Sequence, residues 1–128
     1  MSNRILKTIL GICLTFGSFF VQAETDVMLP KDVSTLVAEK KAVIVDVRED
    51  DEWQAGHIAG AIHIPLAQIN QRLPELAAYK DGTVITQCRS GKRSLKALEV
   101  LKTAGFNNVY SMEGGIQAWT EQGLATTK

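Results

Sequence analysis

Cys88-Arg89-Ser90-Gly91-Lys92-Arg93-Ser94 places one thiol ahead of three cations within five residues, with a glycine between them. The run before it, Thr83-Val84-Ile85-Thr86-Gln87, is β-branched and reads as a buried strand. Leu95, Leu98 and Leu101 then recur every three residues until Gly105, which reads as a helix with a glycine stop. The thiol is therefore expected in a strand-to-helix turn. Main-chain N–H groups in such a turn converge on an anion, and the helix dipole adds to them. A cysteine so placed drops from a pKa of about 8.5 to roughly 3.5–7.5. Donors that hold a thiolate can also hold a small anion above it, and Arg89, Lys92 and Arg93 would attract a doubly negative sulfur donor such as thiosulfate. Attack on its outer sulfur expels sulfite and leaves a persulfide, which a second nucleophile removes, so ping-pong kinetics are expected. Cys88 is the predicted nucleophile, and Arg89, Ser90, Gly91, Lys92 and Arg93 are the predicted substrate-binding residues.

Other chemistries fit less well. An inert cysteine packs like a small hydrophobe, but such sites are not followed by Arg, Ser, Gly, Lys and Arg in order. Each cation taken singly could simply be part of a solvated loop. Cysteine phosphatases and arsenate reductases place Arg six residues after Cys, whereas the sixth residue here is Ser94 and the arginine comes one position early, at Arg93. That cradle is one residue short for a tetrahedral oxyanion. Gly91-Lys92 lacks the earlier glycine of a phosphate-binding P-loop, and Arg93 separates the lysine from Ser94. His57 and His63 are the only histidines and no Cys-x-x-Cys occurs, too few ligands for zinc. His57 reads as a structural hydrogen-bonding residue, and Trp53 and Trp119 read as core anchors.

The elements that must position Cys88 alternate along the chain. Val33, Leu36 and Val37 mark one face of a short helix after Pro30, and Ala42-Val43-Ile44-Val45 is a strand buried on both faces. Asp50 and Asp51 could cap a helix that runs through Trp53 and ends at Gly56. Ala61 to Ile64 reads as a brief strand stopped by Pro65. Leu66, Ile69, Leu73 and Leu76 share one face of a further helix. Val109-Tyr110-Ser111 is strand-like, Gly114-Gly115 breaks the chain, and Ile116 with Trp119 anchors a last helix. Alternating strands and helices imply an α/β domain with a mostly parallel sheet, whose sites form beyond the strands' carboxyl ends.

With 128 residues, 45% of them apolar and 22% charged, the chain suits one globular domain. Residues 1–23 have the pattern of a cleaved export signal: Arg4 and Lys7 without an acid, a largely apolar stretch to Phe20 that is too short to span a bilayer, and Val21-Gln22-Ala23 before the cut. Cys13 follows the bulky Ile12 rather than the small residue a lipobox needs. Residues 24–128 are then the mature domain, with no membrane attachment and with Cys88 as its single thiol. Periplasmic residence is expected, or secretion from a cell without a second membrane. An unpaired cysteine in an oxidising compartment calls for a function. Without Arg4 and Lys7, 12 basic residues face 14 acidic ones, a net charge of about −2. Such a domain lacks the field that nucleic-acid binding rests on.

Cys88 to Ser94 resembles the active-site loop of the rhodanese family, whose single-domain bacterial members often carry Cys-Arg-x-Gly-x-Arg-Ser. Asp46-Val47-Arg48-Glu49 resembles that family's Asp-x-Arg segment, and Glu52-Trp53 its Glu-aromatic pair. Gly56-His57-Ile58-Ala59-Gly60-Ala61 with Ile64-Pro65, and Glu113-Gly114-Gly115-Ile116 with Trp119, resemble further family stretches in the same order. The resemblance spans roughly residues 30 to 123. It implies a three-layer α/β/α domain on a five-stranded, mostly parallel sheet, a Cys88 persulfide, and no metal or organic cofactor. Asp46 and Arg48 would support the site, and an ion pair with Glu49 or Glu52 is the simpler role for them. Members that act on 3-mercaptopyruvate usually carry Cys-Gly-x-Gly, so Cys88-Arg89-Ser90-Gly91 points to thiosulfate, or to a persulfide or polysulfide donor. Cyanide or a thiol, including an exported thioredoxin-like protein, is the expected acceptor, and a monomer is expected. A sulfur-carrying or redox-sensing module that binds an exported partner without turnover is the alternative.

Overall fold

A computed structural model describes residues 26–128. The expected export signal and Cys13 lie outside the described residues. Five strands, β1 (Val27–Met28), β2 (Ala42–Asp46), β3 (Ile62–His63), β4 (Thr83–Gln87) and β5 (Asn108–Met112), form one sheet in the order β1-β5-β4-β2-β3. Every pairing is parallel. Four helices, α1 (Pro30–Ala38), α2 (Asp50–Ala55), α3 (Lys92–Thr103) and α4 (Gly115–Glu121), make the connections together with 3-10 turns. This is the α/β architecture the alternating pattern implied.

Side chains on a strand alternate between faces, so each central strand feeds two cores. Val45, Val84 and Val109 join Leu98, Leu101 and Phe106 on the α3 side. Ile44, Ile85 and Met112 join Val33 of α1 and Trp119 of α4 on the other. A strand covered on both faces must be apolar throughout, which is why residues 42–45 show no polar alternation.

Three details depart from the sequence reading. The helix expected across Leu66, Ile69, Leu73 and Leu76 is two 3-10 segments, Leu66–Gln68 and Leu73–Tyr79. Pro74 lacks an N–H and disfavours helical geometry at Leu73, so one continuous helix cannot form; all four apolar residues still pack against the core. Leu95 is 46% exposed although it repeats with Leu98 and Leu101. At about 100° per residue, steps of three walk round a helix, and the buried row of α3 is Ser94, Ala97, Leu98 and Leu101. Finally, β1 precedes Pro30, where the sequence marks no element, because two residues carry no periodicity to recognise.

Among the described residues no helix is long and apolar enough to cross a membrane.

Candidate active site

Cys88 is the first residue past β4, at the carboxyl end of the sheet's central strand. Its side chain is buried, with 1% exposure, and belongs to the α3-side core. Gly91 caps α3 with φ 113°, a left-handed conformation that favours glycine. This turn brings the Gly91 N–H to 3.0 Å from Cys88 Sγ. Ser94 Oγ, in the first turn of α3, lies 3.5 Å from the same sulfur. Burial pushes the Cys88 pKa up, but the Ser94 hydroxyl and the main-chain N–H groups of Ser94, Gly91 and Ser90 outweigh it, leaving the thiol below its ordinary range. The ring of donors therefore favours a thiolate.

The opposite side of the loop rests on α4. Cys88 O accepts hydrogen bonds from Ile116 N at 2.8 Å and from Gln87 Nε2 at 2.6 Å, and Arg89 O accepts one from Gln117 N at 3.2 Å. Gly115, with φ 59°, makes this approach possible. A Cβ there would stand 2.4 Å from main-chain atoms of Arg89 and Cys88.

The predicted substrate-binding residues have different surroundings. Arg89, Ser90 and Lys92 are exposed. Arg89 lines a hollow of about 430 Å³ with Arg48, Glu52, Gln117 and Thr120. Ser90, Gly91 and Lys92 line another of about 270 Å³ with Leu95 and Glu113. Arg93 is turned toward α2, where its two terminal nitrogens donate to the Glu52 carboxylate at 2.6 and 2.9 Å. Its charge is thus largely answered within the protein, and its tether ties the loop to α2.

Glu52 is correspondingly acidic. The Arg93 hydrogen bonds outweigh partial burial, and the Glu49 N–H and the charges of Arg93 and Arg48 help, taking its pKa from the ordinary 4.5 to about 2. A depressed folded pKa stabilises the protein above pH 4.5, and that contribution is lost as pH falls toward 2. Glu52→Gln is therefore expected to unfold at lower urea than wild type at pH 6 and at the same urea concentration near pH 2. Parallel curves at both pH values would remove the tether.

Asp46 and Arg48 pair with each other rather than with Glu49 or Glu52 through its carboxylate. Both are buried, and Arg48 Nη2 donates to Asp46 Oδ2 at 2.7 Å. Arg48 also donates to the carbonyls of Glu52 at 3.2 Å and Gly56 at 2.8 Å, holding the middle of α2 and the glycine that ends it. Asp50 and Asp51 lie inside α2 rather than capping it; Glu49 holds the cap position, and its N–H donates to Glu52 Oε1. Trp53 is not a core anchor but is stacked between His57 and His63, at centroid distances of 3.6 and 4.7 Å. His57 Nδ1 lies 2.9 Å from the Trp53 carbonyl oxygen, the structural bond expected of it. Trp119 is in the core.

Sequence reasoning assigned no role to Ser94, Ser111 or Gln87, and offered Glu52 only as an ion-pair partner for Asp46 and Arg48, not for Arg93. Ser94 was findable, since the first turn of a helix that opens on a thiolate faces that sulfur. Glu52, far from Arg93 in the chain, had no spacing signal.

Residues 29–122 match the family model for the rhodanese-like domain. The chain is 39% identical to the uncharacterized protein YqhL of Bacillus subtilis, over 93% of this chain and 94% of that one. It is 36% identical to the thiosulfate sulfurtransferase GlpE of Pseudomonas fluorescens, over 71% of this chain and 82% of that one. It spans 54% of the uncharacterized protein slr1261 of Synechocystis and 21% of the probable adenylyltransferase/sulfurtransferase MoeZ of Mycobacterium tuberculosis, at 36% and 39% identity over 77% and 65% of this chain. A crystal structure of a rhodanese-related protein from Thermoplasma volcanium aligns with a TM-score of 0.72 at 32% identity, covering 79% of this chain and 96% of that one. The thiolate cup, the parallel sheet and these likenesses agree: the chain belongs to the rhodanese-like domain family.

Proposed function

We propose that the protein is a thiosulfate sulfurtransferase that carries sulfur on Cys88. The observation that carries the reading is a buried sulfur with a main-chain N–H at 3.0 Å and a hydroxyl at 3.5 Å, under a loop that exposes Arg89 and Lys92. Similarity to a thiosulfate sulfurtransferase supports the choice of donor. The Cys88 thiolate attacks the outer sulfur of thiosulfate; the S–S bond of the donor breaks, its electron pair leaves on sulfite, and the negative charge moves to the terminal sulfur of the new persulfide. Cyanide or a thiolate then attacks that terminal sulfur, leaving as thiocyanate or a new persulfide and returning the thiolate to Cys88. The exposed cations raise the local concentration of a dianion, an effect that salt weakens. The leader-like pattern of residues 1–23 extends the proposal to an exported, periplasmic protein; a monomer that discharges to a thioredoxin-like partner is proposed with it.

The test is intact mass spectrometry of the full chain after thiosulfate, beside Cys88→Ser. Wild type should gain one sulfur and lose it to cyanide or a dithiol, with turnover showing ping-pong kinetics, and the variant should gain none. Loading should slow as pH falls through the depressed Cys88 pKa and stay flat above it. Hydrolysis of an aryl phosphate with no retained sulfur would replace this reading with phosphatase chemistry. Loading without turnover toward any small acceptor would replace it with sulfur carriage.

A further inference from the structure

Behind Cys88 lies a pair of hydroxyls, of which the reaction above uses only the one that faces the sulfur. Ser94 Oγ stands 3.5 Å from Cys88 Sγ, 3.0 Å from the Gly91 carbonyl oxygen and 2.7 Å from Ser111 Oγ. Ser94 and Ser111 are both buried, at 0% and 1% exposure. The pairing of β4 with β5 puts Ser111 beside Thr86, and Thr86 Oγ1 donates to the Ser94 carbonyl at 2.8 Å. The first turn of α3 is thus held to the sheet by two neighbouring hydroxyl side chains.

A hydroxyl has one proton and two lone pairs. Gly91 O and a thiolate both only accept, so the Ser94 proton can serve one of them at a time. Among the described residues the Ser111 hydroxyl meets a single partner, Ser94 Oγ, so its proton has one destination. With Cys88 protonated, Ser94 accepts from Cys88 and from Ser111 and donates to Gly91. With Cys88 ionised, the arrangement that adds a hydroxyl proton to the main-chain N–H groups already on the sulfur, and leaves both hydroxyl protons bonded, is Ser111 donating to Ser94 and Ser94 donating to Sγ.

We propose that Ser111 is a positioning residue for the nucleophile: its buried hydroxyl donates to Ser94 Oγ, and Ser94 turns its single proton from the Gly91 carbonyl to Cys88 Sγ whenever that sulfur is negative. The pair follows the charge through the cycle. Once the persulfide forms, Sγ is bonded and neutral, and the Ser94 proton returns to Gly91 O; discharge restores the thiolate and turns it back. No proton leaves the site. Chained donors polarise one another, so the second hydroxyl strengthens the bond made by the first.

This inference rests on the sulfur-transfer reading for its purpose, but it is tested without a sulfur donor. The pH profile of iodoacetamide alkylation is followed on the Cys88 peptide of the full chain. Ser111→Ala should move the midpoint upward and slow alkylation about three- to tenfold at a pH about one unit below the wild-type midpoint, with the high-pH plateau unchanged. Ser94→Ala should shift it at least as far, and the double variant no further than Ser94→Ala alone, because Ser111 acts through Ser94. Ser111→Thr and Ser111→Val add the same bulk, and only Thr keeps a hydroxyl; Thr should hold the wild-type midpoint and Val should not. An unmoved profile in Ser111→Ala, equal profiles for Thr and Val, or additive shifts in the double variant would each overturn the proposal. A shifted profile in a chain that retains no sulfur would leave the hydroxyl pair standing and remove only the sulfurtransferase reading.

Discussion

Gly115→Ala should lower the melting temperature by roughly 10–20 °C and cut sulfur loading about a hundredfold. Its added Cβ would stand 2.4 Å from the Cys88 carbonyl oxygen and from the carbonyl carbon and oxygen of Arg89, all of them main-chain atoms that no rotamer can move aside. Overpacking of that kind costs about 1–3 kcal/mol, and a left-handed φ of 59° adds about 1–2 kcal/mol for a residue with a side chain. Relief requires α4 to draw back, and that breaks the bonds from Ile116 N to Cys88 O and from Gln117 N to Arg89 O. The strain therefore falls on the thiolate loop. Gly123→Ala is the control, since Gly123 has φ 75° but nothing within 4 Å of a new Cβ. It should show only the conformational cost and load sulfur normally. Melting temperatures within about 2 °C of each other would mean that the close approach of α4 does not position the loop.

The second large effect belongs to the buried Asp46–Arg48 pair. Asp46 is fully buried and Arg48 is 4% exposed, and three side-chain bonds of 3.0, 3.0 and 2.7 Å join them. The Arg48 main-chain N–H also donates to Asp46 Oδ1 at 3.0 Å. Asp46→Ala leaves a guanidinium buried without its counter-charge, which costs about 3–5 kcal/mol. Against a total of about 5–15 kcal/mol for a domain, that is a large fraction. Arg48→Met should be similarly damaging, since Asp46 is then the uncompensated charge and the carbonyls of Glu52 and Gly56 lose their donor. Removing both charges in Asp46→Ala/Arg48→Met should cost less than the two single changes added together. Urea unfolding of the four proteins gives the coupling directly. Single variants within about 1 kcal/mol of wild type, with additive effects, would reduce the pair to decoration. Because α2 hangs on Arg48, a loosened pair should also free Glu52 and, with it, Arg93.

These contacts mark the boundary of what the residues alone reveal. The strand that delivers Cys88, the glycine turn and the helix that follows are legible because burial on both faces, a left-handed cap and helical spacing each leave a local pattern. The middle connection differs in kind, two 3-10 segments where apolar spacing suggests one helix, because Pro74 and its missing donor decide the geometry. Leu95 belongs to the three-residue repeat that marks the helix, but that repeat does not match the helical period, so it does not tell which leucine is exposed. Arg93 shows the deeper reason for the remaining gaps. Its cationic type was plain, but whether it is open to a ligand depends on Glu52, which the fold brings from another helix. The Ser94–Ser111 pair likewise exists only because β5 lies beside β4.

The order of the strands carries one more consequence. Both borders of the sheet, among the described residues, are only two residues long, Val27–Met28 on one side and Ile62–His63 on the other, while the five-residue strands are interior. An exposed border invites another chain to extend it, and brevity is one of the ways proteins prevent this. The long apolar strands that make the sulfur site possible are therefore also the ones shielded from amyloid-like stacking, and concentrated solutions of the folded protein should stay free of fibrils.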